Sequence, residues 1–472
     1  MARARRPPVP PEDVEGQPAD AGHPADASAG ESGTFSRRDL IKTGAAALGG
    51  ASLLARGALA APEAPAVQRG ATAGRPFRAL VRHGTGISVE DLRLLPMQPR
   101  QVLIRTQAVA PCYTVVWGGA LATTPAKRAY VPNHCGFGVV EGVGPDVKRL
   151  QVGDRVVVAG TSQCGVCYQC LHGRPDYCQF TFGGDDFPPF AEMQDKTPVF
   201  TEAGIGGLSE LMVVYEEYCV PVFTDLPATE LCLLGDQLVS GFSAGHSLVR
   251  FEVGSDVVVF GAGPVGIGAV QAGRIAGAAQ VIVVEPIKYR RDFALKMGAT
   301  TVLDPAAEGD VLVERIRDLC KGPTDRRFAG GRSYVKSPGS VMARGADFVV
   351  EAAGVQVVPP KVEHQPDPTN VRTVRQAWDC AAMGGHVMLM GLTLQEVPFP
   401  GVELALLGRT IHPGQQGGLH IMRDIPRCVK LIEKGRLDAK SMITKTYGPA
   451  DMRQAVQDCA DRTVITAVVA FS

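Results

Sequence analysis

Neither sign of charge prevails in this 472-residue chain: 48 basic residues stand against 48 acidic ones, for a formal net charge of zero. That balance removes the electrostatic footprint by which a protein holds nucleic acid or another polyanion. No apolar run is long enough to cross a membrane as a helix, so no membrane span is expected in the mature chain. No segment repeats at a fixed period, which sets aside solenoids and propellers. Residues 1–35 are almost without aliphatic side chains and cannot bury the apolar area that ordering needs, so they read as disordered. The rest is apolar enough, and long enough, for two or three domains with ample core.

Glycine is abundant at 55 residues, and its clearest pattern lies in Ser255–Glu285. Val257 to Phe260 is a short, wholly apolar, β-branched run, as expected of a strand buried on both faces. Gly261-Ala-Gly263-Pro-Val-Gly266 follows at once, then small apolar residues at helical spacing to Ala276, with Gly277 closing the helix. Gln280 to Val284 reads as a second buried strand ending in Glu285, about 20 residues beyond the glycines. Each part has its own reason in a dinucleotide site. Gly261 permits a tight turn, Gly263 lets backbone approach a pyrophosphate, and Gly266 lets helix and strand pack. The helix N-terminus offers free N–H groups to the phosphates. Glu285 can accept the ribose hydroxyls and repel a 2′-phosphate, which favours NAD, although Arg290 and Arg291 just beyond it pull the other way.

Ser36-Arg37-Arg38 leads into a mildly apolar stretch that contains Arg56 and ends in Ala58-Leu59-Ala60, the layout of a twin-arginine export signal. Residues 1–61 are assigned to the disordered n-region and this signal, and 62–76 to a linker. An ordinary basic, Ala-rich helix, or an uncleaved anchor, is the alternative. From Phe77 the pattern turns to short strands broken by Gly and Pro (102–109, 137–144, 154–160, 208–222), a compact β domain. Residues 228–251 read as one helix. Further strands are expected at 345–354 and 384–392, insertions at 322–344 and 357–371, and helix then strand over 417–472.

Cys164, Cys167, Cys170 and Cys178, at x2, x2, x7 spacing in one loop, can converge on a tetrahedral zinc without long-range help. Two disulfides are the alternative in an exported protein. Zinc is the reading taken, because a twin-arginine substrate folds and can load metal in the reducing cytoplasm. Four thiolates close the shell, so the role is structural.

From about Arg78 onward the chain resembles the zinc-dependent medium-chain alcohol dehydrogenases. The landmarks run in the family's order: the Cys112 segment, His134 before FGVVEGVG, the four-cysteine lobe, the glycine turn, GRT (408–410), Gly417-Gly418 and DRTVITAVVAF (461–471). The resemblance implies an α/β fold: a GroES-like β-rich catalytic domain (77–237), a Rossmann doubly wound parallel sheet (238–416), and a return to the first domain (417–472). It implies a catalytic zinc on Cys112, His134 and Asp236, where aspartate stands for the usual cysteine, as it does in the formaldehyde dehydrogenase and dismutase branch. Taken alone, these three could equally be a core thiol, a loop histidine and a helix cap. Thr114 matches the hydroxyl that passes the substrate proton. Ser240 and Val265 are expected near the nicotinamide, and Arg462 near the pyrophosphate.

Several positions depart from the family. Val115 stands where a carboxylate behind the histidine ligand is usual, Trp117 where a relay histidine often lies, Tyr113 where histidine or a small residue does, and Cys135 where glutamate follows the ligand. Cys135 is open to two readings, an extra ligand or a buried thiol. Two zinc ions and NAD per chain are the implied cofactors. The implied reaction is hydride transfer between a small alcohol or aldehyde and NAD, in a homodimer or homotetramer. Export adds that free NAD is scarce outside the cytoplasm, so a retained nucleotide is expected, recycled by a second aldehyde or an external electron acceptor. The alternative class is a nucleotide-binding protein that has lost its catalytic metal.

Overall fold

The computed structural model describes residues 73–181, 187–321 and 345–471. The export signal, most of the linker and the insertion read at 322–344 lie outside them.

A six-stranded sheet, parallel throughout, runs in the spatial order Thr301–Leu303, Gln280–Val284, Asp256–Phe260, Ala346–Glu351, Ala381–Leu389, Thr410–Pro413. Numbered along the chain this is 3-2-1-4-5-6, the dinucleotide-binding order whose reversal point sits beside the first strand. The β-branched run at 257–260 explains why. Val257 and Val259 join the core on one face of the sheet, Val258 and Phe260 that on the other, so both faces are dry. Helix Pro264–Ala276 begins with Pro at its first turn and ends on left-handed Gly277 (φ 82°).

Five strands of the catalytic lobe close a small barrel: Pro76–His83, Gly86–Leu94, Ala191–Glu192, Pro198–Thr201 and Ala129–Val131. A seven-stranded sheet centred on Gln101–Val109 lies beside it. The terminal strand Thr466–Ala470 pairs antiparallel with that central strand, Val469 opposite Val109. The return segment is richer than helix then strand. It holds helix Ile421–Glu433, strand Ile443–Tyr447, helix Met452–Ala460 and the last strand.

The single helix expected over 228–251 is instead broken. Helix Ala228–Leu231 passes into a 3-10 turn at Cys232–Gly235, Asp236 leaves helical space (φ −158°, ψ −73°), and a new helix runs Gln237–Ser243. The break makes Asp236 the N-cap of the second helix and frees its side chain from the helix face. Gly241 and Gly268 let this helix press onto helix 264–276; a Cβ at Gly241 would fall 1.7 Å from the carbonyl oxygen of Val265. Helices 237–243 and 264–276 are thereby one packed unit.

Candidate active site

Three separate segments deliver three donor atoms. Cys112 caps the short helix Tyr113–Trp117, His134 precedes strand Gly136–Val143, and Asp236 sits at the helix break. Their ligand atoms lie within 4.8 Å of one another. His134 Nε2 is 3.4 Å from Asp236 Oδ2. Asp236 Oδ2 is buried and has no hydrogen-bond partner, whereas its Oδ1 accepts from Ser240 Oγ (3.1 Å) and Gln416 Nε2 (2.9 Å). A buried lone carboxylate oxygen facing a thiol and an imidazole is costly by itself and fits a divalent cation. Burial opposes ionisation of Asp236, yet His134 beside it brings the carboxyl down to about 2. Burial likewise opposes a charged His134, but Asp236, Cys112 and Glu202 outweigh it and raise the imidazole well above its ordinary range. Burial and the Asp236 charge push the Cys112 thiol up. The pocket therefore holds its negative charge at the expense of a captured proton, a place that a metal ion can take.

The outer partners are residues that sequence reasoning missed. Glu202, from the turn after strand Pro198–Thr201, has Oε1 3.8 Å from His134 Nδ1 and accepts from the backbone N–H of Asn133 at 2.5 Å. It supplies, from a different strand, the carboxylate that Val115 cannot; Val115 is packed in the core. Asn133, in the left-handed region (φ 79°), accepts from Cys112 N–H (3.1 Å) and donates to the carbonyls of Ala110 and Cys135, pinning two ligand segments together. Cys135 points away, its Sγ 3.4 Å from the Ala110 carbonyl. Burial holds that thiol protonated, up to about 12, and it is not in the ligand cluster. Thr114 Oγ1 is buried and has no hydrogen-bond partner. Trp117 is exposed, and the Tyr113 hydroxyl accepts from Val357 N–H (3.3 Å).

The four cysteines of the lobe form the second cluster. Cys164 Sγ lies 3.9 Å from Cys170 Sγ, and Cys167 Sγ 3.9 Å from Cys178 Sγ; all four are free. A disulfide needs about 2.05 Å. A tetrahedron with metal–sulfur bonds of about 2.3 Å has edges of about 3.8 Å, which these separations match. Backbone N–H groups of Val166 and Cys167 point at Cys164 Sγ, as suits a thiolate.

Cys112 also lines a cleft that runs to the glycine turn. Gly261 takes φ 92°, where a side chain would be strained, and a Cβ at Gly266 would fall 1.9 Å from the Gly261 carbonyl oxygen. At Gly263 a Cβ would meet only Arg290, so the space there is left for a ligand. Glu285 accepts from the N–H groups of Ala262 (2.6 Å) and Ile287 (2.9 Å) and lines the cleft with Val265, Arg290 and Arg462. Arg290 and Arg462 are both buried there, and burial with Arg290 nearby lowers the Arg462 pKa. Two cations so close invite a diphosphate. Arg291 is spent on Asp304 (3.0 Å) and on the carbonyls of Glu285 and Pro286, away from a ribose phosphate. Ser240 turns its hydroxyl to Asp236 and does not line the cleft.

Residues 98–224 match the family model of the alcohol dehydrogenase GroES-like domain, and residues 264–434 that of the zinc-binding dehydrogenases. Geraniol dehydrogenase of Castellaniella defragrans is 30% identical over 77% of this chain and 88% of its own length. The chain belongs to the zinc-dependent medium-chain alcohol dehydrogenase family. This dehydrogenase is also similar to the NDMA-dependent alcohol dehydrogenase of Amycolatopsis methanolica (27% identical, 84% of this chain, 99% of that one). An alcohol dehydrogenase zinc-binding domain protein from Burkholderia ambifaria has the same fold (TM-score 0.69, 26% identical, 84% and 99% covered). The dehydrogenase is an alcohol/aldehyde oxidoreductase with zinc and NAD as cofactors.

Proposed function

We propose that this dehydrogenase oxidises a small alcohol, or reduces the aldehyde, at Cys112, His134 and Asp236, and that it keeps its NAD through turnover. When bound, zinc supplies Lewis-acid polarisation of the substrate oxygen, and NAD accepts the hydride. The chain's part is to hold the three donors, to offer Thr114 Oγ1 as the first acceptor of the hydroxyl proton, and to keep the cleft dry.

The observation that carries retention is the strap at 355–370. Val357 N–H bonds Tyr113, Lys361 bonds the carbonyl and carboxylate of Asp461 (3.1 and 2.6 Å), and Glu363 accepts from Lys288 N–H. Gln365, Pro366 and Asp367 then line the nucleotide cleft. A segment tied to both lobes across the cleft must come loose before a dinucleotide leaves. Gel filtration of the native protein followed by mass spectrometry is the test. Nucleotide and two zinc ions per chain are expected; protein that comes through empty refutes retention, and one zinc leaves only the lobe.

Retention favours a second reading, aldehyde dismutation. Held in the cleft lined by Glu285, Arg290 and Arg462, NAD would supply the hydride exchange by which one hydrated aldehyde becomes acid and a second aldehyde becomes alcohol, each placed at Cys112, His134 and Asp236. Equal acid and alcohol without added cofactor would establish it, whereas turnover only with an acceptor such as NDMA points to an external oxidant. Both suit the twin-arginine signal read at 36–60, since an exported enzyme meets little free NAD; N-terminal sequencing of secreted protein tests that route. A homodimer through the sheet edge Thr410–Pro413 and its neighbour Gly401–Leu406, whose Val402, Leu404 and Leu406 are exposed, completes the proposal. The native mass decides it.

A further inference from the structure

Gln416 sits in the turn between the last strand of the parallel sheet and helix Ile421–Glu433, with φ 46° and ψ 42°. A side chain in the left-handed region costs free energy unless its surroundings over-determine it. Here they do. Gly417 (φ 69°) lies so close to helix Gln237–Ser243 that a Cβ would fall 2.2 Å from the Ser240 carbonyl oxygen. Gly160 makes room on the other side: a Cβ there would lie 2.5 Å from Gln416 Nε2. Every contact of the carboxamide is then filled. Nε2 donates to Asp236 Oδ1 (2.9 Å) and to the Gly235 carbonyl (3.0 Å), while Oε1 accepts from Thr161 N–H (3.1 Å) and Thr161 Oγ1 (3.2 Å).

We infer that Gln416 is a positioning residue for the metal ligand Asp236. With Ser240 it occupies Oδ1 and leaves Oδ2 as the one oxygen free to face Cys112 and His134. Aspartate has two equivalent oxygens and free rotation about its carboxyl group, which cysteine at this position would not have. A carboxylate ligand thus needs a donor behind it to present a single oxygen, and Gln416 reaches across from the Rossmann lobe to supply it. The inference rests on the reading of Cys112, His134 and Asp236 as a zinc site.

The test uses the full chain in two variants. Gln416→Gly removes the amide and relieves the backbone; Gln416→Met keeps the bulk without donor or acceptor. Zinc affinity is read by chelator competition, with the four-cysteine zinc as internal reference, alongside the melting temperature. The expected result is a roughly 10–100-fold weaker second zinc in both variants with the lobe zinc unchanged, and no fall in melting temperature for metal-free Gln416→Gly. Second-zinc affinity within twofold of wild type in either variant overturns the inference, as does a melting loss in metal-free Gln416→Gly accompanied by loss of both metals, which marks a merely structural residue. A wild-type chain that binds only the lobe zinc overturns the zinc reading itself, and this inference with it.

Discussion

The two metal clusters of this chain are built on opposite principles. The four lobe thiols come from fifteen consecutive positions, 164–178, and need little beyond their own turns and N–H groups to meet. Cys112, His134 and Asp236 come from segments separated by 21 residues (112 to 133) and 102 residues (135 to 237), as the hydrogen bonds tying those segments show. His134 and Asp236 are each backed by a residue from yet another part of the chain, Glu202 and Gln416, while Asn133 next to His134 holds Cys112 and Ser240, one turn on, completes the hold on Asp236. A local chelate is robust and closed. A site assembled at long range can be tuned, because its partners lie outside the ligands.

The sharpest way to break this comparison is to remove a ligand from each side. His134→Ala should abolish alcohol oxidation and one zinc while leaving the lobe zinc in place, a loss beyond the roughly 10–100-fold that outer partners contribute. Cys178→Ala should do the converse in metal count, releasing the lobe zinc and lowering the melting temperature, because that thiol is wholly buried in the lobe. If losing either zinc releases the other, the two sites are not independent and the contrast fails.

Next in size is Glu202→Gln. Taking its charge from His134 Nδ1 should weaken the second zinc by about tenfold or more and leave the lobe metal alone; titration with a chelator measures both. Acidity offers a subtler probe. In the metal-free protein the raised His134 contributes stability that is complete below its unfolded pKa and is lost as pH rises through the folded one. Asp236, lowered to about 2, contributes above the usual carboxylate range and loses its share as pH falls towards that value. Melting curves of the metal-free chain should therefore decline on the alkaline side, and those of the zinc-loaded chain should not, since metal has replaced the proton. The smallest effect belongs to the strap. Lys361→Ala removes the ion pair between an exposed ammonium and the buried Asp461 carboxylate, whose other oxygen Gln457 still holds, so nucleotide release should quicken only by the factor that about 0.2–1 kcal/mol allows.

How much of this was legible beforehand follows the same contrast. The glycine turn, both flanking strands and the lobe spacing are local patterns, and each stands where the sequence puts it. The break at Asp236 was legible only in part: Gly235-Asp236 is a stop-and-cap pair, and the helix-cap reading of Asp236 implies a helix that starts there, but the apolar stretches on either side read together as one helix. Gln416 and Glu202 were invisible for a different reason. Neither stands in a motif, and their meaning arises only when a turn 180 positions beyond Asp236 folds against it. Gly417-Gly418 marks a tight turn in the left-handed region beside Gln416, but says nothing of what the glutamine touches. Val115 marked a vacancy that a reader looking only at neighbouring positions would leave unfilled, because its substitute comes from a distant strand.

The strand Thr466–Ala470 lies between the central strand Gln101–Val109 and the edge strand Ile443–Tyr447 of the catalytic lobe's larger sheet, and helix Met452–Ala460 covers the turn that bears Cys112, Cys459 Sγ reaching the Pro111 carbonyl. The central strand Gln101–Val109 and the turn around Cys112 thus depend on residues 452–470 for their packing. The sulfur lobe can form as soon as its own turn has been made, whereas the Cys112 pocket gains its roof only once a much later stretch of chain has been synthesised and folded back.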